Sequence, residues 1–182
     1  MFTKKNIIPS VRNLKYLSKA LNSASEYILL SEVTIGNLKE LTKVCHKAGK
    51  KVLVHADLIG GFKGDKEGMN LLKTLFKVDG VMSTNVTVLR QARQKGLYTI
   101  YRLFMIDSRS LDRSIHILEN EAFDCVEVLP GDYALQQEGD IKKYIGSANL
   151  IAGGFVTTPE LANEILLGSF IGLTTSDPQI WK

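Results

Sequence analysis

The sequence predicts an α/β chain folded as one compact (β/α)8 barrel of the TIM type. Short apolar runs alternate with amphipathic stretches along the whole length, eight such runs can be counted, and the last two end in motifs suited to holding phosphate. An open doubly wound sheet uses the same alternation and is the competing architecture. The count of eight and the contents of the last two units favour closure.

Strands are expected at Ile7-Ile8-Pro9, Tyr27 to Val33, Lys51 to Asp57, Gly80 to Thr84, Tyr98 to Phe104, Asp124 to Leu129, Leu150 to Gly153 and Phe170 to Thr175. The first is the shortest and contains Pro9. Between them, Asn37 to Lys47 sets Leu38, Leu41 and Cys45 on one face at helical spacing, and Gln91 to Lys95 and Ser110 to Asn120 read the same way. Gly49, Gly96 and Gly168 stand just before strands, where glycine relieves the left-handed residue that ends a helix. Thr158 before Pro159, followed by Glu160, marks a helix start. Eight units in 182 residues leave about 23 residues each, short for this fold. Gln179-Ile180-Trp181-Lys182 leaves room only for a truncated last helix, and Trp181 is expected to cap the gap or to anchor a homodimer. Residues 1–182 read as a single domain with no linker or low-complexity tract.

Hydrophobic residues make up 45% of the chain and charged residues 23%, an ordinary globular balance. No apolar run approaches the ~20 residues of a bilayer span. The basic start Met1-Phe2-Thr3-Lys4-Lys5 is not followed by a secretory apolar stretch, so a cytoplasmic protein with no membrane partner is expected. Cys45 and Cys125 sit inside apolar patterns and read as buried free thiols rather than a disulfide framework or a zinc site. A net charge of +4 permits a nucleic-acid partner without requiring one.

The seventh strand ends in Ile151-Ala152-Gly153-Gly154-Phe155 and the eighth in Leu173-Thr174-Thr175-Ser176-Asp177-Pro178. Barrels of this class often hold phosphate on the loops after these two strands and on the N-terminus of a short extra helix. Gly153 and Gly154 let backbone N–H groups approach an anion, Thr175 and Ser176 add hydroxyl donors, and Pro178 at a helix start aims further N–H groups at the site. A tight turn and a simple cap account for either motif alone; the pair at the correct two units favours phosphate.

Alternation decides what lines the mouth. Val52, Val54 and Ala56 suit the helix layer, which directs Leu53, His55 and Asp57 inward; Glu127 and Arg102 point inward by the same parity. With Arg12 after the first strand and Glu32 ending the second, this gathers charges near one opening, where Arg102 is expected to bridge the carboxylates. A self-satisfied ion-pair plug is the plainer account, weightiest for Arg12 and Glu32. Two chemistries suit the group: metal-assisted hydrolysis of a phosphodiester and acid–base isomerisation of a phosphosugar. His46 and His116 fall on helices, so only His55 reaches the mouth. Gly60-Gly61-Phe62-Lys63-Gly64-Asp65 lacks the ending of a Walker A motif and reads as a mobile loop over the mouth.

Pro9-Ser10-Val11-Arg12-Asn13, His55-Ala56-Asp57-Leu58-Ile59, Arg102-Leu103-Phe104, Glu127-Val128-Leu129-Pro130-Gly131, Ala152-Gly153-Gly154-Phe155 and Thr174-Thr175-Ser176 follow one another in order. Together they closely resemble the glycerol-3-phosphate-responsive antiterminators, regulators of the glycerol uptake operon, essentially end to end. The resemblance implies a barrel that binds glycerol-3-phosphate as effector and acts on leader mRNA so that transcription passes a terminator, with no catalytic residue, metal or cofactor. It places the phosphate at Gly153, Gly154, Thr175 and Ser176, and the glycerol end toward His55, Asp57, Arg102 and Glu127. Ser31-Glu32-Val33 and Asn85 depart from the family pattern. The alternative function is a TIM-barrel enzyme acting on a phosphosugar or glycerophosphodiester.

For RNA, the best candidates are the basic helix-to-strand turns: Lys47, Lys50 and Lys51 around Gly49, and Arg90, Arg93 and Lys95 before Gly96. These lie on the face opposite the ligand, and complementing helix dipoles is the plainer account of each. The Gly60 to Gly68 loop and the Ser176 to Lys182 tail are the expected moving parts.

Overall fold

Eight parallel strands follow one another around a closed ring: β1 (Asn6–Val11), β2 (Tyr27–Leu30), β3 (Lys51–His55), β4 (Gly80–Ser83), β5 (Tyr98–Phe104), β6 (Cys125–Leu129), β7 (Asn149–Ala152) and β8 (Gly172–Thr175). β8 returns to β1 in the register Asn6 opposite Gly172 through Pro9 opposite Thr175, which removes every sheet edge and decides for the barrel over the open sheet. The computed structural model describes residues 2–105 and 108–181. Lys182, the last residue of the expected tail, lies outside them.

The strand alternation builds two separate cores. Ile8, Leu29, Leu53, Met82, Ile100, Cys125 and Ile151 point inward and fill the lower barrel. Phe2 closes the bottom, its ring edge-on to Tyr27 at 4.7 Å and Tyr98 at 5.3 Å. The opposite parity, Val52, Val54, Val81, Val126 and Val128 among others, packs beneath the helices. Cys45 and Cys125 are free and fully buried, and burial raises the Cys45 thiol to about 11.

The helices are α1 (Leu17–Leu21), α2 (Leu38–Lys47), α3 (Lys66–Thr74), α4 (Val86–Gln94), α5 (Ser108–Asn120), α6 (Gly131–Gln136), α7 (Glu138–Lys142) and α8 (Pro159–Leu167). None is long and apolar enough to cross a membrane among the described residues. Thr158 Oγ1 accepts from Leu161 N at 3.2 Å, so α8 starts as its sequence predicts. Gly49 and Gly96 are left-handed as expected, with φ of 75° and 67°. Gly168 is not: its φ is −70°. Glycine is needed there for space, because a Cβ would lie 2.6 Å from Glu138 Oε2, whose carboxylate accepts from Ser169 N.

Three expectations need correction. β1 is a full six-residue strand despite Pro9. Among the described residues no helix follows β8; Asp177 Oδ1 accepts from Gln179 N at 2.9 Å and closes a turn, so Pro178 starts no helix and contributes no dipole. The Gly60 to Gly68 stretch does not overhang the mouth. Gly60 bridges Thr34, Ile35 N donates to Gly60 O at 3.0 Å, and α3 already begins at Lys66. The stretch borders a hollow of about 700 Å³ on the flank, between Ile35, Phe62, Leu71 and Leu75. Of the two roles expected of Trp181 the structure shows the cap: the ring is buried and Nε1 donates to Thr175 O at 2.9 Å.

Candidate functional site

One step above the apolar barrel core, the same inward parity changes chemistry. Ser10, Ser31, His55, Arg102, Glu127, Gly153 and Thr174 follow Ile8, Leu29, Leu53, Ile100, Cys125, Ile151 and Gly172 by two residues each, so a polar layer sits directly on an apolar one. Above it opens a cavity of about 590 Å³ at the C-terminal ends of the strands.

Glu127 anchors this layer. It is completely buried, and Arg102 Nε donates to its Oε2 at 2.8 Å while Thr174 Oγ1 donates to its Oε1. Burial pushes its carboxyl above the usual carboxylate range, and the Arg102 charge and the Thr174 hydrogen bond offset part of that cost. The space it occupies exists because residue 153 is glycine: a Cβ there would lie 2.5 Å from Glu127 Oε1 and 2.6 Å from Thr174 Oγ1.

Arg102 turns its other end to His55, with Nη1 3.3 Å from Nε2. A guanidinium can only donate, so His55 Nε2 accepts and the proton of the neutral ring sits on Nδ1. Burial, and then the Arg102 charge, lower His55 to about 4. In the unfolded chain this histidine takes up a proton near pH 6.5, whereas in the folded chain it waits until about pH 4. Its contribution is therefore fully present above pH 6.5 and is lost as pH falls toward 4. NMR titration of the imidazole nitrogens is expected to show a neutral Nδ1–H ring down to about pH 4; a midpoint at 6.5 would contradict the geometry.

The remaining charges settle separately. Asp57 accepts from Ser83 Oγ at 2.6 Å and Thr84 N at 2.9 Å, which ties β3 to β4, and it stands 3.8 Å from His55 Nε2. Arg102 thus joins Glu127 and His55 and does not bridge to Asp57 as expected. Of the four residues assigned to a glycerol end, His55 and Arg102 line the cavity; Glu127 lies beneath its floor and Asp57 beside it. Arg12 and Glu32 form an exposed pair, Nη2 to Oε1 2.8 Å, on the cavity rim. Among the described residues, no three His, Cys, Asp or Glu side chains converge as a metal site.

The phosphate end is also redistributed. Gly154 and Ser176 border the same cavity, as expected. Gly154 has a φ of 72° and Phe155 of 56°, and among the described residues the amides of Gly154, Phe155 and Ser176 donate to no protein acceptor. The Gly153 amide is already used, donating to Val128 O at 2.9 Å. Thr175 borders the cavity too, but its hydroxyl is committed: it donates to Val156 O at 2.7 Å and accepts from Asp177 N at 3.1 Å, locking the two loops together. Ser10 and Ser31, whose hydroxyls meet at 2.7 Å on the cavity wall, and Thr174 add neutral hydroxyls to the lining. They were readable from parity on β1, β2 and β8 but carry no charge to draw notice.

On the opposite face, the basic turns are partly committed. Lys50 Nζ donates to Ser23 O and Ser25 O, Arg90 pairs with Glu121, Arg93 donates to Ala122 O, and Lys51 lies over the Tyr27 ring. Lys47 is exposed and Lys95 half-buried.

Residues 7–181 match the family model described as "Glycerol-3-phosphate responsive antiterminator". The glycerol uptake operon antiterminator regulatory protein of Listeria monocytogenes is 34% identical, with a TM-score of 0.91 over 99% of this chain and 96% of that one. An antiterminator-related protein of Thermotoga maritima is 28% identical, with a TM-score of 0.87 over 98% and 99%. An uncharacterized Escherichia coli protein, YgcP, is 29% identical over 96% of this chain and 91% of its own. A family match across nearly every residue has one meaning: the chain belongs to the glycerol-3-phosphate responsive antiterminator family.

Proposed function

We propose that the protein is a cytoplasmic, glycerol-3-phosphate-responsive transcription antiterminator that binds the leader mRNA of a glycerol-utilisation operon. The observation that carries this reading is the pairing, in one cavity, of unbonded amides at Gly154, Phe155 and Ser176 with the polar floor formed by His55, Arg102, Ser10 and Ser31. The phosphate takes the amides and the Ser176 hydroxyl. The glycerol hydroxyls face the floor, where Arg102 donates and neutral His55 is held in one tautomer. Asp57, Glu127, Gly153 and Thr175 act by positioning these groups.

Binding without turnover is supported by the carboxylates. Asp57 and Glu127 are each engaged by protein donors and neither lines the cavity, so neither is placed as a general base toward a bound hydroxyl; of the carboxylates that do line it, Glu32 is paired with Arg12 and Asp177 accepts from Gln179 N. The reading requires no metal or organic cofactor.

Glycerol-3-phosphate at about a hundred times its Kd adds about 2.7 kcal/mol to stability, a rise in Tm of roughly 5–10 °C for a chain of this size. That rise is expected in the presence of a chelator, with the ligand recovered unchanged and the leader transcript bound more tightly when it is present. Consumption of the ligand, or of a glycerophosphodiester, would instead establish the enzyme reading.

A further inference from the structure

Among the described residues, the exposed aromatic residues are Tyr16, Phe104, Tyr133 and Phe155. All four lie where the chain leaves the C-terminal end of a strand: after β1, at the end of β5, after β6 and after β7. Phe155 is the extreme case, 84% exposed and held at a φ of 56°. An apolar ring kept in water on a left-handed, non-glycine backbone is unfavourable twice over, and such a residue beside a binding cavity marks a contact that the free chain leaves unmade.

Charge on this rim points to the nature of that contact. From Phe2 to Ser25 the chain has no acidic residue, and Arg12, Lys15 and Lys19 stand exposed on the segment leaving β1. Lys15 Nζ lies 4.8 Å over the Tyr16 ring. Tyr16 also borders a notch of about 240 Å³ whose other walls include Arg12, Glu32 and Ser176, and those three residues line the ligand cavity as well. The two hollows therefore share a wall.

We infer that this C-terminal rim, rather than the basic turns on the opposite face, is the docking surface for single-stranded RNA. Bases stack on Tyr16 and Phe155, and phosphates are taken by Lys15 and Lys19. Unpaired RNA is recognised in this way, by aromatic platforms interleaved with cations. The inference rests on the antiterminator reading and gives it a route for coupling. An anion at Ser176 competes with Glu32 for Arg12, at the wall common to both sites, so effector and RNA bias the same exposed ion pair.

The test uses the full chain with glycerol-3-phosphate and the leader transcript of the glycerol-uptake operon from the same genome. Tyr16 and Lys15 lie outside the ligand cavity, so Tyr16→Ala and Lys15→Glu are expected to keep the ligand-induced rise in Tm. Tyr16→Ala is expected to weaken RNA binding by about 5- to 150-fold, the range for losing one stacked base. Lys47→Glu combined with Lys95→Glu is expected to change it less than about twofold at fixed salt. RNA carrying 4-thiouridine is expected to photocrosslink, in the unsubstituted protein, to peptides containing Tyr16 or Phe155. Crosslinks confined to peptides around Lys47 and Lys95, or unchanged affinity in both rim variants, would overturn the rim as the RNA site; a rim that serves a protein partner gives this second result. If the ligand-loaded, unsubstituted protein fails to bind the transcript at all, the antiterminator reading itself falls and the inference with it.

Discussion

Arg102→Met is expected to lower stability by about 3–5 kcal/mol at pH 7.5, the cost of leaving one partner of a buried ion pair alone. The residue left behind is Glu127, which has no contact with solvent and keeps only Thr174 as a donor. Its folded pKa already lies above the ordinary value because of burial, and removal of Arg102 takes away the main opposing influence. A carboxyl with a raised folded pKa contributes stability that is fully present below its unfolded pKa and is lost as pH rises. The deficit of the variant should therefore shrink between pH 7.5 and pH 5, as Glu127 takes up a proton inside the folded barrel. Urea denaturation at the two pH values reads this directly; a deficit independent of pH would show that Glu127 does not titrate against Arg102.

A double variant separates stability from ligand recognition. Arg102→Met with Glu127→Leu replaces the pair by apolar groups, a change that is often neutral once both charges are gone. Most of the lost stability should return, with Thr174 Oγ1 missing its acceptor and His55 Nε2 its donor. Affinity for glycerol-3-phosphate should not return, because Arg102 itself faces the cavity.

The barrel and its mouth were legible in the sequence to the extent that parity and spacing carry information. Eight short apolar runs gave the right number of strands, and alternation placed His55, Arg102 and Glu127 on the inner surface. What could not be read was the allocation of hydrogen bonds. Gly153 looks like a phosphate-binding glycine until β6 is laid beside β7, when its amide is taken by Val128 O. The Thr175 hydroxyl looks free to meet a phosphate until the segment after β7 is laid beside β8, when it donates to Val156 O. Asp57 likewise has its acceptors filled by Ser83 and Thr84, which are distant in sequence and adjacent only once β3 pairs with β4. The same holds for the Gly60 to Gly68 stretch, whose glycines read as mobility but whose first residue is bonded to the segment after β2. Residue type and periodicity give direction; saturation depends on neighbours that only the closed sheet supplies.

Gly153→Ala tests that distinction with a single methyl group. If this glycine served to bring its amide to a phosphate, the substitution would weaken ligand binding and leave the fold nearly untouched. In the barrel its amide is spent in the sheet, and the missing side chain is what admits the Glu127 carboxylate. The added Cβ would lie 2.5 Å from Glu127 Oε1 and 2.6 Å from Thr174 Oγ1, closer than a carbon and an oxygen can sit. Neither neighbour is a free end, since Glu127 is held by Arg102 and Thr174 is bonded to Glu127. Overpacking of this kind typically costs about 1–3 kcal/mol, and displacing Glu127 would add part of the cost of a disturbed buried pair. The expected result is therefore a clear fall in stability by urea or thermal denaturation before any question of ligand arises. Thr174→Ala in the same background should recover part of it, because it removes one of the two atoms in the way. A Gly153→Ala protein as stable as its parent, defective only in binding glycerol-3-phosphate, would return this glycine to the phosphate site and undo the assignment of its space to Glu127.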